Sequence, residues 1–200
     1  MLDLDAMDVA TTLPALVAAH AAVREVRLVG SRADGRAHEL SDWDFIVETD
    51  DFERVARDLP ELVAPLRPLA EQWDRYSNDA CYMLMLRGPT KIDLFFPSEP
   101  REWAPAWEAT PETLAAIDHH FWDWALWLEQ KRRHGSRAQL EKGLGDMYEV
   151  LLHPLGVRER PASMAEAVDA YIAARAELER RFDVRVSREL EDEARPALAR

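Results

Sequence analysis

Cysteine is nearly absent from this 200-residue chain, which contains Cys81 alone. A single cysteine excludes an intramolecular disulfide and fits a protein of the reducing cytoplasm. Because Cys81 stands in an apolar run, we expect it to be a core residue. All apolar runs are far shorter than the roughly 20 residues of a membrane-spanning helix. The N-terminus is acidic, which is not typical of a signal peptide. These absences predict a globular cytoplasmic protein that does not associate with a membrane.

Positive charge is also scarce. The chain has 38 acidic residues against 25 lysines and arginines, and its formal net charge is −13. A nucleic-acid-binding surface needs an excess of Lys and Arg, so we expect no nucleic-acid partner. An acidic cleft would favour a cationic substrate, although an acidic surface also serves solubility alone. The sequence does not indicate an oligomeric state. Only three residues are lysines: Lys91, Lys131 and Lys142.

The stretch from Val26 to Val47 contains two strand-like segments with small and acidic residues between and within them. Apolar and polar residues alternate up to Gly30, which predicts a strand that ends in a Gly-Ser turn. After a loop or short helix, Asp42 and Asp44 open a second apolar segment. Side chains at positions i and i+2 leave the same face of a strand, so both carboxylates point the same way. Such a pair suggests a divalent metal, most often magnesium, although Asp-x-Asp alone is common by chance.

A third carboxylate occurs in the apolar segment 91–96. In a strand, Ile92, Leu94 and Phe96 would face one way, and Lys91, Asp93 and Phe95 the other. A carboxylate in such a strand is costly to bury unless it is paired or binds a metal. Lys91 on the same face is expected to balance the carboxylate charge.

The combination of an apolar strand, Gly-Ser, Ser-Asp-x-Asp and another apolar run resembles the nucleotidyltransferase superfamily of the DNA polymerase beta type. Within it, the chain is similar to the small bacterial aminoglycoside and lincosamide nucleotidyltransferases, which act in antibiotic resistance. The residues that carry the resemblance are Gly30, Ser31, Arg32, Ala33, Gly35, Asp42 and Asp44. It implies an enzyme that uses two Mg²⁺ ions to move a nucleoside monophosphate, AMP from ATP, to a hydroxyl of a small, plausibly cationic molecule.

The resemblance also implies roles for individual residues. Asp42, Asp44 and Asp93 would be the catalytic carboxylates and metal ligands, with Asp93 also able to take the proton of the acceptor hydroxyl. Five residues would bind the nucleotide: Gly30, Ser31, Arg32, Lys131 and Lys142. For Arg32 and both helix-borne lysines, a merely solvated side chain is the competing interpretation.

The rest of the chain predicts an α+β fold, with a mixed β-sheet half in residues 1–100 and an all-helical half in residues 101–200. The resemblance implies that the first half is the nucleotidyltransferase domain and that the second is a substrate-binding domain. In the first half we expect helices over residues 8–22, capped by Thr11 or Thr12, and from Asp51 to a break at Pro60. Strands are expected over 69–76, 80–87 and 91–96, joined by turns that favour antiparallel pairing. In the second half, Thr110 is the predicted cap of a helix that ends at Gly135, and Ser136 and Ser163 the predicted caps of two more. Residues 187–195 predict a partly frayed helix.

Two other functions remain open at this point. One keeps the chemistry but modifies a protein, as antitoxin-type members of the superfamily do. The other is a non-catalytic relative that binds a nucleotide or a partner. The presence of all three aspartates argues against it, because an inactive relative does not need them. The spacing of His119, His120, Asp123 and His134 does not match that of a closed zinc site. These side chains are therefore expected in the core or in an acceptor pocket. Trp103, Trp122, Trp124 and Trp127 are expected mostly in the core.

Overall fold

The computed structural model describes residues 8–199. The acidic residues at the N-terminus, on which the signal-peptide argument depends, lie outside this range. The chain divides into two compact units, one ending at Ala104 and the other beginning at Pro105. Among residues 8–199, no helix is long and apolar enough to cross a membrane.

The first unit contains one mixed five-stranded sheet with the strand order β1-β2-β5-β4-β3. Its strands are β1 (Val23–Val29), β2 (Trp43–Thr49), β3 (Ala70–Trp73), β4 (Asp79–Leu86) and β5 (Thr90–Pro100). Three of the four strand pairings are antiparallel, including β3 with β4 and β4 with β5 as the turn residues predict, but β2 and β5 pair in parallel. β3 is shorter than predicted and β5 longer. The sheet places β2 and β5 side by side although β3 and β4 lie between them in sequence.

The helices of the first unit are α1 (Val9–Ala18), α2 (Gly30–Ala33) and α3 (Phe52–Val63), followed by a 3₁₀ turn (Ala64–Leu66). The predicted cap of α1 is wrong: the side chain of Asp8, not Thr11 or Thr12, accepts the hydrogen bond of Ala10 N–H. The helix predicted to start at Asp51 is present as α3, and the side chain of Asp51 caps it by accepting a hydrogen bond from Arg54 N–H. The predicted break at Pro60 is also wrong, because the helix continues through this residue while its apolar face stays buried.

One face of the sheet forms the hydrophobic core with α1 and α3. Phe45 and Val47 of β2, and Leu94 of β5, are completely buried in this core. Because side chains alternate along a strand, Asp44, which precedes Phe45, and Asp93, which precedes Leu94, lie on the opposite face. The predicted alternation in both strands is confirmed. The core therefore fixes the direction in which the two carboxylates point.

The second unit is helical, and the chain as a whole is α+β as predicted. Its helices are α4 (Leu114–His134), α5 (Arg137–Met147), a π-helical turn (Tyr148–Leu152), α6 (Met164–Phe182) and α7 (Glu189–Leu198). Gly135 ends α4, and Ser136 and Ser163 cap α5 and α6, as predicted. The expected cap at Thr110 is wrong, since residues 111–113 form a separate turn and α4 begins at Leu114. The last helix is regular rather than frayed.

Buried polar side chains distinguish α4 from an ordinary amphipathic helix. Asp118 is fully buried and accepts hydrogen bonds from Tyr171 (2.6 Å), Arg175 (2.7 Å) and the indole of Trp122 (3.2 Å). Arg175 also pairs with Glu191 of α7. This network joins α4, α6 and α7. Trp122 is in the core as predicted, whereas Trp103 is 44% exposed.

Candidate functional site

The candidate site is formed by three carboxylates at the start of the central parallel strand pair. Asp42 immediately precedes β2, and Asp44 is the second residue of that strand. Asp93 of β5 lies directly opposite Asp44 in the parallel register. One carboxylate oxygen from each residue lies within 4.8 Å of the other two. Carboxylates at this separation repel one another unless a cation lies among them.

Asp42 has two oxygens in different environments. Its Oδ2 atom lies 3.4 Å from Nζ of Lys91, whose side chain is only 4% exposed. Its Oδ1 atom is buried and has no hydrogen-bond partner. A buried carboxylate oxygen without a partner is costly unless something cationic binds it. A cation bound to Oδ1 would therefore satisfy an atom that no hydrogen bond satisfies.

Gly30 permits the close approach of the turn to this cluster. Its φ of +71° lies in the left-handed region, which side chains rarely adopt. A Cβ atom added here would lie 2.3 Å from Oδ2 of Asp44, well inside van der Waals contact. Ser31 follows as the second residue of the short helix α2. Because residue 30 is a glycine, the Gly-Ser turn can lie against the carboxylates that could bind a metal.

Arg32 holds the loop that leads into β2. Its Nε and Nη2 atoms donate hydrogen bonds to the carbonyl of Ser41 at 3.0 and 2.7 Å, and Nε also donates to that of Asp42 at 3.1 Å. The guanidinium lies over the Trp43 ring, 4.1 Å from its centroid. Burial lowers the pKa of Arg32, while the negative charges of Asp42 and Asp44 oppose this effect. These contacts position the backbone of Asp42.

The donor set fits a divalent metal. Within the described part of the chain, Asp42, Asp44 and Asp93 are the one group of three or more potential ligands close enough to share an ion. All three offer hard carboxylate oxygens, the ligands that Mg²⁺ prefers. The buried Oδ1 atom of Asp42, which has no hydrogen-bond partner, is an independent observation that fits a cation ligand. The cluster could hold a divalent cation.

Comparison with known proteins agrees with this geometry. Residues 10–78 match the family described as "Nucleotidyltransferase domain". This part of the chain is similar to nucleotidyltransferase domains, and it contains Gly30, Asp42 and Asp44. The match ends before Asp93, so the third carboxylate is assigned from the sheet register alone. A search of curated proteins found no match.

Solved structures show only distant similarity to the chain. A cytoplasmic RNA terminal U-transferase is 17% identical with a TM-score of 0.37, covering 62% of this chain and 37% of its own. This chain thus spans little more than a third of that enzyme's length. An aminoglycoside 6-adenyltransferase from Bacillus subtilis is 8% identical with a TM-score of 0.35, covering 100% of this chain and 99% of its own.

Two predicted nucleotide-binding residues lie outside the nucleotidyltransferase domain. Lys131 is in the last turn of α4, with Nζ 5.0 Å from the centroid of the Trp127 ring. Lys142 is on α5, where it pairs with Asp146 at 2.5 Å and its side chain is 72% exposed. Both belong to the unit that begins at Pro105. Their contacts with a nucleotide stay a prediction, as does the phosphate contact of Arg32.

No role was predicted from the sequence for two residues that interact with the loop before Asp42 or with Lys91. The Ser41 hydroxyl accepts a hydrogen bond from His38 N–H at 2.8 Å and so shapes the loop before Asp42. Burial raises the pKa of Asp74, while a hydrogen bond from the Tyr76 N–H and the charge of Lys91 counteract the rise. Asp74 is therefore within electrostatic reach of Lys91. In the sequence, Asp74 can be recognised only as an acidic residue within the predicted strand 69–76.

Proposed function

We propose that this protein transfers a nucleoside monophosphate, AMP from ATP, to a hydroxyl group of a small cationic molecule, with two Mg²⁺ ions bound by Asp42, Asp44 and Asp93. The observation that carries this proposal is the meeting of three carboxylates within 4.8 Å in a nucleotidyltransferase domain. The orphaned Oδ1 atom of Asp42 supports metal binding independently.

The reaction forms a bond between the acceptor oxygen and the α-phosphorus and breaks the bond from that phosphorus to the α,β-bridging oxygen, which becomes a terminal oxygen of pyrophosphate. Bound magnesium would supply positive charge to the attacking and leaving oxygens. A carboxylate oxygen of Asp93 takes the proton of the acceptor hydroxyl, and pyrophosphate leaves with the electron pair of the broken bond. Asp42 and Asp44 hold the site in its reactive geometry.

The phosphates are bound by the turn at Gly30 and Ser31. Without a side chain, Gly30 lets a phosphate approach the backbone, and the hydroxyl and N–H of Ser31 can donate hydrogen bonds to it. Arg32 positions the loop before Asp42 and can add charge. Lys131 and Lys142 are proposed to bind the β- and γ-phosphates, because a tetra-anionic triphosphate needs more cations than this turn provides.

The acceptor is proposed to bind mainly through the helical domain of residues 101–200. An aminoglycoside-like molecule has both hydroxyl groups and positive charges. The net charge of −13 supports a cationic acceptor, because an acidic surface attracts it electrostatically.

Pyrophosphate release tests this function. The purified chain is incubated with each of the four ribonucleoside triphosphates and a panel of aminoglycosides, with MgCl₂ or EDTA. We expect release with ATP that depends on both Mg²⁺ and a hydroxylated cation, and a product heavier by one AMP in mass spectrometry. Labelling of a protein by ATP while no small molecule supports release would contradict the proposed acceptor.

Two substitutions test the site residues. Asp42→Asn and Asp93→Asn remove one negative charge each while keeping the side-chain shape, and each should lower kcat by about 100-fold or more. Asp50→Asn is the matched control, because Asp50 is exposed just after β2 and should leave kcat unchanged. Full activity of Asp42→Asn would show that the metal assignment is wrong.

A further inference from the structure

We propose that Lys91 is an internal counter-ion of the carboxylate cluster, which weakens the binding of a free divalent cation and so makes metal uptake depend on the nucleotide. This inference rests on the proposed function, because it concerns the same carboxylates. It assigns to Lys91 a role beyond charge balance, that of setting when the site is filled. Lys91 acts through Asp42 and is a positioning residue rather than a catalytic one.

Lys91 is held in place by the sheet. It is the second residue of β5, and its backbone pairs with Met85 of β4. By strand alternation, its side chain leaves the same face as Asp93, two residues later. The residue is only 5% exposed, although lysine is almost never buried without a partner. Its ammonium is therefore fixed at the cluster instead of extending into solvent.

Lys91 interacts electrostatically with two acidic residues, Asp42 and Asp74. Nζ lies 3.4 Å from Oδ2 of Asp42, whereas the other oxygen of that carboxylate, Oδ1, has no hydrogen-bond partner. The same charge helps to lower the pKa of Asp74, which burial raises. Lys91 thus offsets repulsion among carboxylates that the fold has crowded together. Asp42 keeps one oxygen for Lys91 and one for a metal.

A metal at Oδ1 of Asp42 would be a second cation close to Lys91. Two cations a few ångströms apart at a partly buried site repel by several kcal/mol before screening. A nucleoside triphosphate carries up to four negative charges, which offset the repulsion between Lys91 and the metal. The site should therefore bind a free divalent ion weakly and the metal–nucleotide complex well.

Mn²⁺ binding tests this proposal without any turnover. Electron paramagnetic resonance counts free Mn²⁺ during titration of the full chain, alone and with α,β-methylene-ATP, which cannot release pyrophosphate. We expect Lys91→Met to bind Mn²⁺ about tenfold more tightly than the native chain when nucleotide is absent. With the nucleotide analogue, the difference between the two proteins should shrink.

Two variants make the result specific. Lys91→Arg keeps the charge and should bind Mn²⁺ as the native chain does. Arg57→Met removes one positive charge from an exposed position of α3, on the core side of the sheet, and should not change Mn²⁺ affinity. Circular dichroism and thermal unfolding show whether each variant is folded.

The outcomes separate this inference from the proposed function. Native-like or weaker Mn²⁺ binding by folded Lys91→Met, in a native chain that does bind Mn²⁺, would overturn the counter-ion role and leave the proposed function standing. Absence of Mn²⁺ binding in both proteins, with or without nucleotide, would overturn both.

Discussion

Gly30 and Asp44 are in such close contact that a Cβ atom on residue 30 would lie 2.3 Å from Oδ2 of Asp44. Gly35, five residues later, has nearly the same positive φ but no atom within 4 Å of the equivalent Cβ position. The two glycines therefore have similar φ angles but differ in how closely other atoms approach the Cβ position. This pair allows the effect of backbone strain to be separated from the effect on the site.

Gly30→Ala should damage the site, whereas Gly35→Ala should not. Both substitutions place a side chain at positive φ and should cost about 1–2 kcal/mol of unfolding free energy. Only the first displaces Asp44, so its Mn²⁺ affinity should fall by about 10- to 100-fold, the range seen when the support of a metal ligand is disturbed. Urea denaturation measures the loss of unfolding free energy, and Mn²⁺ titration measures the loss of metal affinity. Equal Mn²⁺ affinity in the two variants would contradict the close contact.

Arg32→Met tests whether this arginine orients Asp42. Losing its hydrogen bonds to the Ser41 and Asp42 carbonyls should destabilise the domain by about 1–3 kcal/mol and weaken Mn²⁺ binding even without nucleotide. Arg36→Met is the control, since Arg36 is exposed in the same loop and pairs with Asp34. A raised KM for ATP with unchanged nucleotide-free Mn²⁺ affinity would instead show that Arg32 acts by direct phosphate contact.

Arg175→Met should strongly destabilise the helical unit. Arg175 is 2% exposed and pairs with both Asp118 and Glu191, so its removal leaves the buried Asp118 carboxylate without its cation and takes one arginine partner from Glu191, which also pairs with Arg195. Breaking a buried pair in this way costs about 3–5 kcal/mol. Arg180→Met on the same helix removes an exposed pair with Glu177 and should cost less than about 1 kcal/mol. Similar unfolding free energies for the two variants would argue against the network.

Glu129 should make stability sensitive to acid. Burial alone would raise its pKa, but hydrogen bonds from Arg132 and Arg133 outweigh this and hold the pKa of Glu129 below its usual value. A lowered pKa means that the carboxylate stabilises the fold above the pKa of the unfolded chain, about 4.5, and that this contribution is lost as the pH falls through the folded-state pKa.

The comparison of Glu129→Gln with the native chain checks this sign. The variant should be less stable at pH 7, and the difference in unfolding free energy should shrink as the pH is lowered below about 4.5. Glu177→Gln, which alters an exposed pair, serves as the control and should show little difference at either pH. A difference for Glu129→Gln that grows in acid would contradict the assignment.

The sequence by itself determined the features that depend on neighbouring residues. Alternation placed Asp44 and Asp93 on the faces opposite Phe45 and Leu94, and Ser136, Ser163 and Gly135 marked helix ends, because capping and side-chain direction are set within a few residues. The helix break predicted at Pro60 was wrong, because burial of one face of α3 outweighed the low helix propensity of proline.

The tertiary structure alone decided which distant residues meet. Parallel pairing of β2 with β5 brings Asp93 opposite Asp44 and Lys91 against Asp42, and no local pattern specifies a strand partner across two intervening strands. The contact of Asp118 with Arg175, 57 residues away, is likewise a product of helix packing. The sequence thus supplied the carboxylates of the candidate site, whereas their separation and their counter-ion came from long-range packing, which local chemistry does not encode.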